Sequence, residues 1–500
     1  MVPQSFTRRR FLSGVAAGGL SAWLASCSSD GRSSSPSTLP STLSGSSTTG
    51  RAALGAAFAQ PEVFASSRGL LEVVLRAEEA QVPWGDSTRY CLTYNGTTPG
   101  PTLRVRPGDR LQIRLENRLE ESTNLHTHGL HVSPEGDGDN VFVAVGPGED
   151  RTYVYDIPAD HRSGLFWYHP HAHGTVARQV AGGLAGAIIV IDDVDNAPDL
   201  VGSNERIWIL ADPPIGTSRG ILDTNAIDQM TGREGDVVLV NGVLAPEVPA
   251  RVGELERWRV VNASASRYYR LVVDDHDLNV IATDGGRLPA PVAVGEALLA
   301  PGERTEFLIA PSAEGTFAIR SLPYDRGGVG MGGMGMGASG GTSTETIIAT
   351  MIAAGTGDPA ALPKTLPITD HPLPDATASR ALDLGMGHMM GRGDMVWTID
   401  GRPFDPARTD IEVELGVVEE WEIRNPTGMD HPFHLHVWPF RVVDGAKASG
   451  WKDTVNVPAG TSVRVIVPFT GIAGRTVYHC HILDHEDLGM MGVIGTGSGR

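Results

Sequence analysis

Three stretches decide the architecture of this chain: GDRLQIRLEN at residues 108–117, GELERWRVVN at 253–262 and GVVEEWEIRN at 416–425. Each opens on glycine, closes on asparagine and alternates apolar with polar residues in between. Successive side chains of an extended strand point to opposite faces, so the alternation describes a strand with one face in a core and one in water. The run TLRVRPGDRLQIRLEN (residues 102–117) continues the pattern upstream of the first copy. With 62 glycines, 34 prolines and 6% aromatic residues, the composition suits many short strands joined by turns, an all-β chain. Five hundred residues are too many for one core. Three copies of the motif set the number of related domains at three.

Counting on from each closing asparagine without gaps places His126 and His128 level with His434 and His436, whereas the middle copy offers Leu271 and Val273. A second landmark behaves the same way. Five residues after Gly164, Gly315 and Gly474 come His169-Pro170-His171, Arg320-Ser321-Leu322 and His479-Cys480-His481. The first and third domains are therefore expected to face one another across a histidine cluster, with the second as a spacer that holds no metal ligand. The boundaries read as 61–195, 196–356 and 357–500.

The segment HCHILDHEDLGMM, residues 479–491, carries the chemistry. Thiolate and imidazole suit copper, and one Cys with two His and a weak, long Met is the ligand set of a blue electron-transfer site. On a strand Cys480 faces one way while His479 and His481 face the other. An electron arriving at Cys480 then has a one-residue covalent path to a second metal cluster. The pairs His126/His128, His169/His171 and His434/His436 repeat the same spacing. With His479 and His481 they make eight imidazoles, enough for a three-copper cluster with two ligands on one ion and three on each of the others. His431 is left to join Cys480, His485 and Met490. Ten of the 16 histidines fall in these motifs, too many for a scatter of unrelated core and surface imidazoles.

In this order, HTHG, HPHAHG, HPFHLH and HCHILDHEDLGMM resemble the four copper signatures of the multicopper oxidases, and the resemblance runs from about residue 65 to the C-terminus. It implies three cupredoxin-like Greek-key β-sandwich domains and four copper ions: one type 1, one type 2 and a type 3 pair. It implies one-electron oxidation of substrate at type 1 copper and four-electron reduction of O2 to water at the trinuclear cluster. By motif position, His431, Cys480 and His485 with axial Met490 would hold type 1 copper. His126 and His434 would hold type 2. His128, His169, His171, His436, His479 and His481 would hold type 3. Two proton donors are also implied: Asp137 beside the type 2 ion and Glu486 directly after His485, with Glu135 and Asp139 as neighbouring alternatives to Asp137.

The N-terminus reads as an address. Thr7 to Leu12 (TRRRFL) and the apolar run behind it resemble a twin-arginine export signal, and Leu24-Ala25-Ser26-Cys27 resembles a bacterial lipobox. Residues 1–27 are thus a signal and 28–60 a flexible serine-rich tether, giving an exported protein at the periplasm or cell surface, anchored to the membrane by lipid on Cys27. Of three cysteines, Cys480 is assigned to copper, which leaves Cys91 as a buried thiol without a disulfide partner. A formal charge of -19 argues against nucleic acid as a partner and favours cations. The chain is expected to be a monomer.

Methionine suggests the electron donor. Met331, Met334 and Met336 lie in a glycine-rich loop closing the second domain, and Met386, Met389, Met390 and Met395 lie ahead of the third motif copy. Thioether sulfur is a soft ligand for Cu(I). Met429 falls where the copper-efflux branch of the family has a substrate-copper ligand, although Thr427 stands where that branch has an acidic one. The leading reading is a metallo-oxidase of Cu(I) or Fe(II) in copper tolerance, with electrons passing through His485 or His431 at the surface of the third domain. The alternatives are a laccase-like oxidase of phenols and aromatic amines, and a copper-binding cupredoxin without enzymatic activity. A wide cleft for an aromatic ring, rather than a roofed site, would separate the first two.

Overall fold

A computed structural model describes residues 55–84, 87–192, 204–329, 338–342, 344–368, 373–388, 395–443 and 450–497. The export signal, Cys27, most of the tether and Met331, Met334, Met336, Met389 and Met390 lie outside these residues. Apart from a two-stranded sheet of Tyr324–Val329 and Ala338–Thr342, the described strands sort along the chain into three successive pairs of sheets. Residues 63–190 form a five-stranded and a four-stranded sheet, residues 204–356 a seven-stranded and a five-stranded sheet, and residues 378–497 a six-stranded and a five-stranded sheet. No helix among the described residues is long and apolar enough to cross a membrane.

The three motif copies occupy equivalent strands. Arg110–Asn117 lies between Leu70–Trp84, to which it is parallel, and Asp150–Asp156, to which it is antiparallel. Glu256–Asn262 sits in the same way between Asn204–Ala211 and Arg304–Ile309. Val418–Asn425 repeats the arrangement between Ala378–His388 and Thr461–Pro468. A parallel neighbour cannot be reached by a tight hairpin, so each sandwich must cross over between its sheets, as a Greek key does.

The asparagine that closes each copy has one structural task, performed three times. The Asn117 amide donates to the carbonyls of Glu121 (2.9 Å) and Val145 (2.8 Å), and its oxygen accepts from the Leu119 N–H (2.9 Å). Asn262 binds the carbonyls of Arg267 and Leu299 and the N–H of Ser264 in the same way. Asn425 does so with Met429, Val457 and Thr427. A buried amide that satisfies three backbone groups where a strand ends lets the chain turn without stranding polar atoms. That turn launches the segment holding His126 in the first sandwich and His431 in the third.

Each sandwich has its own core, built on Ile113, Leu115 and Tyr153 in the first, Trp258, Tyr269 and Phe307 in the second, and Trp421, Phe433 and Val465 in the third. Leu271 and Val273 belong to the second core, each 5% exposed. An unpartnered imidazole in that apolar setting would cost about 1–3 kcal/mol, so the middle copy packs apolar side chains where its siblings present histidines. Cys91 and Cys480 are both free and buried.

Candidate metal centres

Short strand pairs assemble the histidines. His126–His128 runs antiparallel to Gly164–His169, setting His126 opposite His169. His431–Leu435 runs antiparallel to Gly474–Cys480, setting His434 opposite His479 and Phe433 opposite Cys480. The first and third sandwiches then meet ring to ring. His126 stacks on His436 with centroids 3.9 Å apart, and His128 stacks on His434 at 3.8 Å. Such reciprocal pairing is what two equivalent copies give when they face each other about a local two-fold axis. All eight imidazoles are at most 2% exposed.

Their nitrogens show what the cluster lacks. The Nε2 atoms of His171 and His436 each lie 3.1 Å from Nε2 of His479, and these three residues form one group able to hold a metal ion. Elsewhere one nitrogen is tied to protein and the other has no partner. His126 Nδ1 bonds Asp139, His169 Nδ1 the Pro170 carbonyl and His434 Nδ1 the Asp453 carbonyl, leaving each Nε2 unpaired. His128 is reversed, with Nε2 on Asp453 and Thr454 and Nδ1 unpaired, while His481 has both nitrogens unpaired. Burial and the neighbouring imidazoles hold His126, His171, His436, His479 and His481 well below the usual histidine range. Neutral imidazoles with free lone pairs are the form that binds metal, and a dry cage of them fits copper.

A second group lies on the other face of the Cys480 strand. His431 Nδ1 is 3.5 Å and His485 Nδ1 3.8 Å from Cys480 Sγ, and all three residues, with Met490, are 0% exposed. Met490 closes back on the strand, its carbonyl accepting from the Cys480 N–H at 3.0 Å. Burial pushes the Cys480 thiol up and His431 down to about 3. A thiol so hard to ionise becomes a thiolate only with a cation beside it.

The way in to this group differs from the expectation that an imidazole edge lies at the surface of the third domain. His431 Nε2 is bonded to Thr427 Oγ1 at 2.9 Å, and His485 Nε2 donates to the Met230 carbonyl at 3.1 Å. Met230 belongs to the helix Ala226–Thr231, contributed by the second sandwich and started by a capping box at Asn225. Trp397 completes the cover, its ring 3.9 Å from His485 and 5.2 Å from His431. Met429, expected as an accessible substrate ligand, is wholly buried in the third core; its side chain packs where Asn425 and Thr427 hold its carbonyl. Met386 is 41% exposed on the strand Ala378–His388.

The carboxylates require one correction. Asp137 does not reach the histidines: it is exposed and paired with Arg151 at 2.9 Å. Two residues on, Asp139 is 1% exposed; it bonds His126 Nδ1 at 2.8 Å and accepts from the Thr127 N–H at 2.8 Å. The turn made by Gly138 N to the Glu135 carbonyl and Asp139 N to the Ser133 carbonyl sends the two acids to opposite sides. A Cβ at Gly138 would meet Ser133 O at 2.2 Å, so the turn needs glycine. Burial raises Asp139 to about 7, against the hydrogen bonds from Thr127. Glu486 is fully buried, 3.2 Å from His479 Nδ1 and 3.5 Å from His171 Nδ1, and burial pushes it well above the usual carboxylate range.

The second sandwich is more than a spacer, although none of its residues joins a possible metal-holding group among the described residues. Arg304, wholly buried, donates to both oxygens of Asp453 at 2.6 Å, and Asp453 in turn holds His128. Burial works against the Asp453 carboxylate, but Arg304 and His128 outweigh it and hold the group well below its usual range. Gly302 approaches so closely that a Cβ there would meet the His481 ring at 2.8 Å. Motif reading missed Arg304 because a lone arginine in LAPGERTEF has no distinguishing pattern. It passed over Asp453 as well, a single aspartate in GWKDTV with no partner of its own type at a telling spacing.

Three family models described as multicopper oxidase match residues 76–195, 167–334 and 376–499. The multicopper oxidase mco of Staphylococcus haemolyticus is 32% identical over 450 residues, covering 87% of this chain and 91% of that protein. The chain belongs to the multicopper oxidase family. Its sandwiches are accordingly cupredoxin-like, and this multicopper oxidase is an oxidoreductase of the copper-using, O2-reducing type. Among solved structures it is similar to a multicopper oxidase from Campylobacter jejuni described as a metallo-oxidase, at 30% identity and a TM-score of 0.75, covering 89% of this chain and 98% of that one. It is also similar to a laccase from Pediococcus acidilactici, at 25% identity and a TM-score of 0.76, covering 89% and 94%.

Proposed function

We propose that this multicopper oxidase is an exported, lipid-anchored metallo-oxidase that takes electrons from Cu(I) or Fe(II) and passes them to O2 in defence against copper. His431, Cys480, His485 and Met490 would hold type 1 copper, His126 and His434 type 2, and His128, His169, His171, His436, His479 and His481 the type 3 pair. When bound, these ions would supply one-electron transfer at the Cys480 group and O2 reduction at the eight-histidine cluster. The protein's own contribution is wiring and protons. Cys480 is joined through a single peptide unit on either side to His479 and His481, which keeps the two groups in covalent contact. Asp139 at His126 and Glu486 at His171 and His479 sit against different imidazoles of the cluster, each buried and inclined to keep a proton that O2 reduction consumes.

The observation that carries the substrate reading is the roof over the Cys480 group. Both imidazoles are 0% exposed and their outer nitrogens are already bonded to Thr427 and the Met230 carbonyl. A phenol could reach His485 only by displacing Met230 and His431 only by displacing Thr427 or Trp397, whereas a metal ion needs only a small soft ligand set near the roof. The metallo-oxidase from Campylobacter jejuni supports the same reading by similarity. The likeness to a Pediococcus laccase keeps the phenol-oxidising alternative in view. Oxygen uptake by copper-loaded protein separates them: kcat/KM for Cu(I) or Fe(II) is expected to exceed that for a simple phenol at least tenfold. A preference for the phenol would overturn the metallo-oxidase assignment. The twin-arginine signal and the lipobox at Cys27 support export and anchoring; a Cys27→Ser variant should move from the membrane to the soluble fraction.

A further inference from the structure

A cavity of about 570 Å³ opens where the three sandwiches meet, away from the Cys480 group and its roof. The first sandwich contributes His161, Arg162 and Phe166, the second Gly285, and the third Trp451 and Thr470. The volume is that of a small-molecule site. Its chemistry is set by two guanidinium groups over one indole. Arg162 Cζ lies 3.7 Å and Arg441 Cζ 4.7 Å from the centroid of the Trp451 ring.

Two guanidinium groups are held close together here. Arg162 makes no hydrogen bond or ion pair through its side chain with any described residue, and its flat face is spent on Trp451. The acids at the cavity do not bond it, although the charge of Asp160 partly offsets its own. Asp192 is bonded to Arg287, which also binds Ser163, and Asp160 is an exposed group. The two histidines are neutral and committed: His161 Nδ1 donates to the Arg162 carbonyl at 2.7 Å while its Nε2 accepts from the His131 N–H at 3.0 Å, and His131 Nδ1 donates to the Val437 carbonyl. Burial, with the charge of Arg441, lowers Arg162 to about 10. Folding has thus spent energy to place an unsatisfied cation, stacked so that its N–H edge stays free, in a chain whose formal charge is -19.

We propose that this cavity binds a small oxyanion, of the phosphate or carboxylate class, against the N–H edge of Arg162. A multi-oxygen anion fits the planar fork of a guanidinium through paired charge-assisted hydrogen bonds and would give Arg162 the hydrogen-bond partner it lacks among the described residues. A metal cation would meet two positive charges instead, and an uncharged aromatic would find the Trp451 face already covered. The site is separate from the substrate port and from the metal-holding residues, so neither its existence nor its loss depends on the metallo-oxidase reading.

The test is isothermal titration calorimetry of the copper-loaded full chain with sodium phosphate and, separately, sodium succinate, each against sodium chloride at equal ionic strength. A saturable heat with one of the two anions, weakened at least tenfold in Arg162→Gln, is the expected result; the tighter of the two identifies inorganic phosphate or an organic carboxylate as the source. Absence of saturable heat beyond the chloride control would overturn the proposal, and so would equal binding by wild type and Arg162→Gln. Should the variant not fold, the wild-type titration alone still decides whether an oxyanion binds.

Discussion

Replacing Cys480 with serine is expected to abolish the blue absorption and lower turnover by on the order of 10³-fold or more, while the eight-histidine cluster keeps its metal. The reason lies in ligand chemistry and position together. Serine is close to cysteine in size, so the wholly buried site at Cys480 is not forced apart. Its oxygen is a hard and scarcely ionisable donor, however, and cannot replace a thiolate as a soft ligand between His431 and His485. The imidazoles of His479 and His481 point to the other face of the strand and belong to a different set of contacts, with His171 and His436 on one side and His128 and His169 on the other. Optical and EPR spectra of the metal-loaded variant would check both halves: loss of the blue band with retention of the type 2 signal. Retained oxidase activity would contradict the route through Cys480.

The second large effect concerns protons. Asp139→Asn is expected to slow O2 reduction by about 10²-fold, the usual scale for loss of a positioned proton donor, with little change in the rate at which substrate reduces the enzyme. Asp137→Asn should stay within about twofold of wild type, as an exposed surface substitution does. The contrast rests on the turn at Gly138, which puts Asp139 on His126 and Asp137 on Arg151. Asparagine keeps the shape and can still accept from Thr127 through its oxygen, but its amide nitrogen cannot accept from His126 Nδ1, so an unchanged type 2 EPR signal is the control that separates lost proton supply from a displaced His126. Anaerobic reduction followed by mixing with O2 measures the two half-reactions separately. Equal loss in both variants, or loss confined to substrate oxidation, would remove Asp139 from the proton path.

These two sites also show how far the sequence could be read. The sheets were legible because period-two alternation in GDRLQIRLEN and its copies is a direct consequence of strand geometry. The histidine pairs were legible for the same reason, since residues two apart on a strand share a face wherever the strand lies. What the chain does between strands is less constrained. SPEGDGDN offers three acids in a loop with no period, and only the backbone hydrogen bonds around Gly138 choose which one turns inward. The roof over His431 and His485 escaped because it comes from Met230 on a six-residue helix more than two hundred residues away. Arg304 is hidden likewise: its partner Asp453 lies 149 residues on, in another sandwich. The Asn117, Asn262 and Asn425 repeat was visible as pattern, but its cause, three backbone groups satisfied by one amide, appeared only in three dimensions.

The strand carrying His479, Cys480 and His481 borders two groups able to hold metal, the eight-histidine cluster and the Cys480 group. Copper analysis combined with EPR spin integration on the fully loaded protein tests that arrangement most directly. Four copper ions per chain are expected, half of them EPR-detectable as one type 1 and one type 2 signal, because a type 3 pair is coupled and silent. A single copper per chain, or a full complement that is entirely detectable as isolated ions, would contradict it.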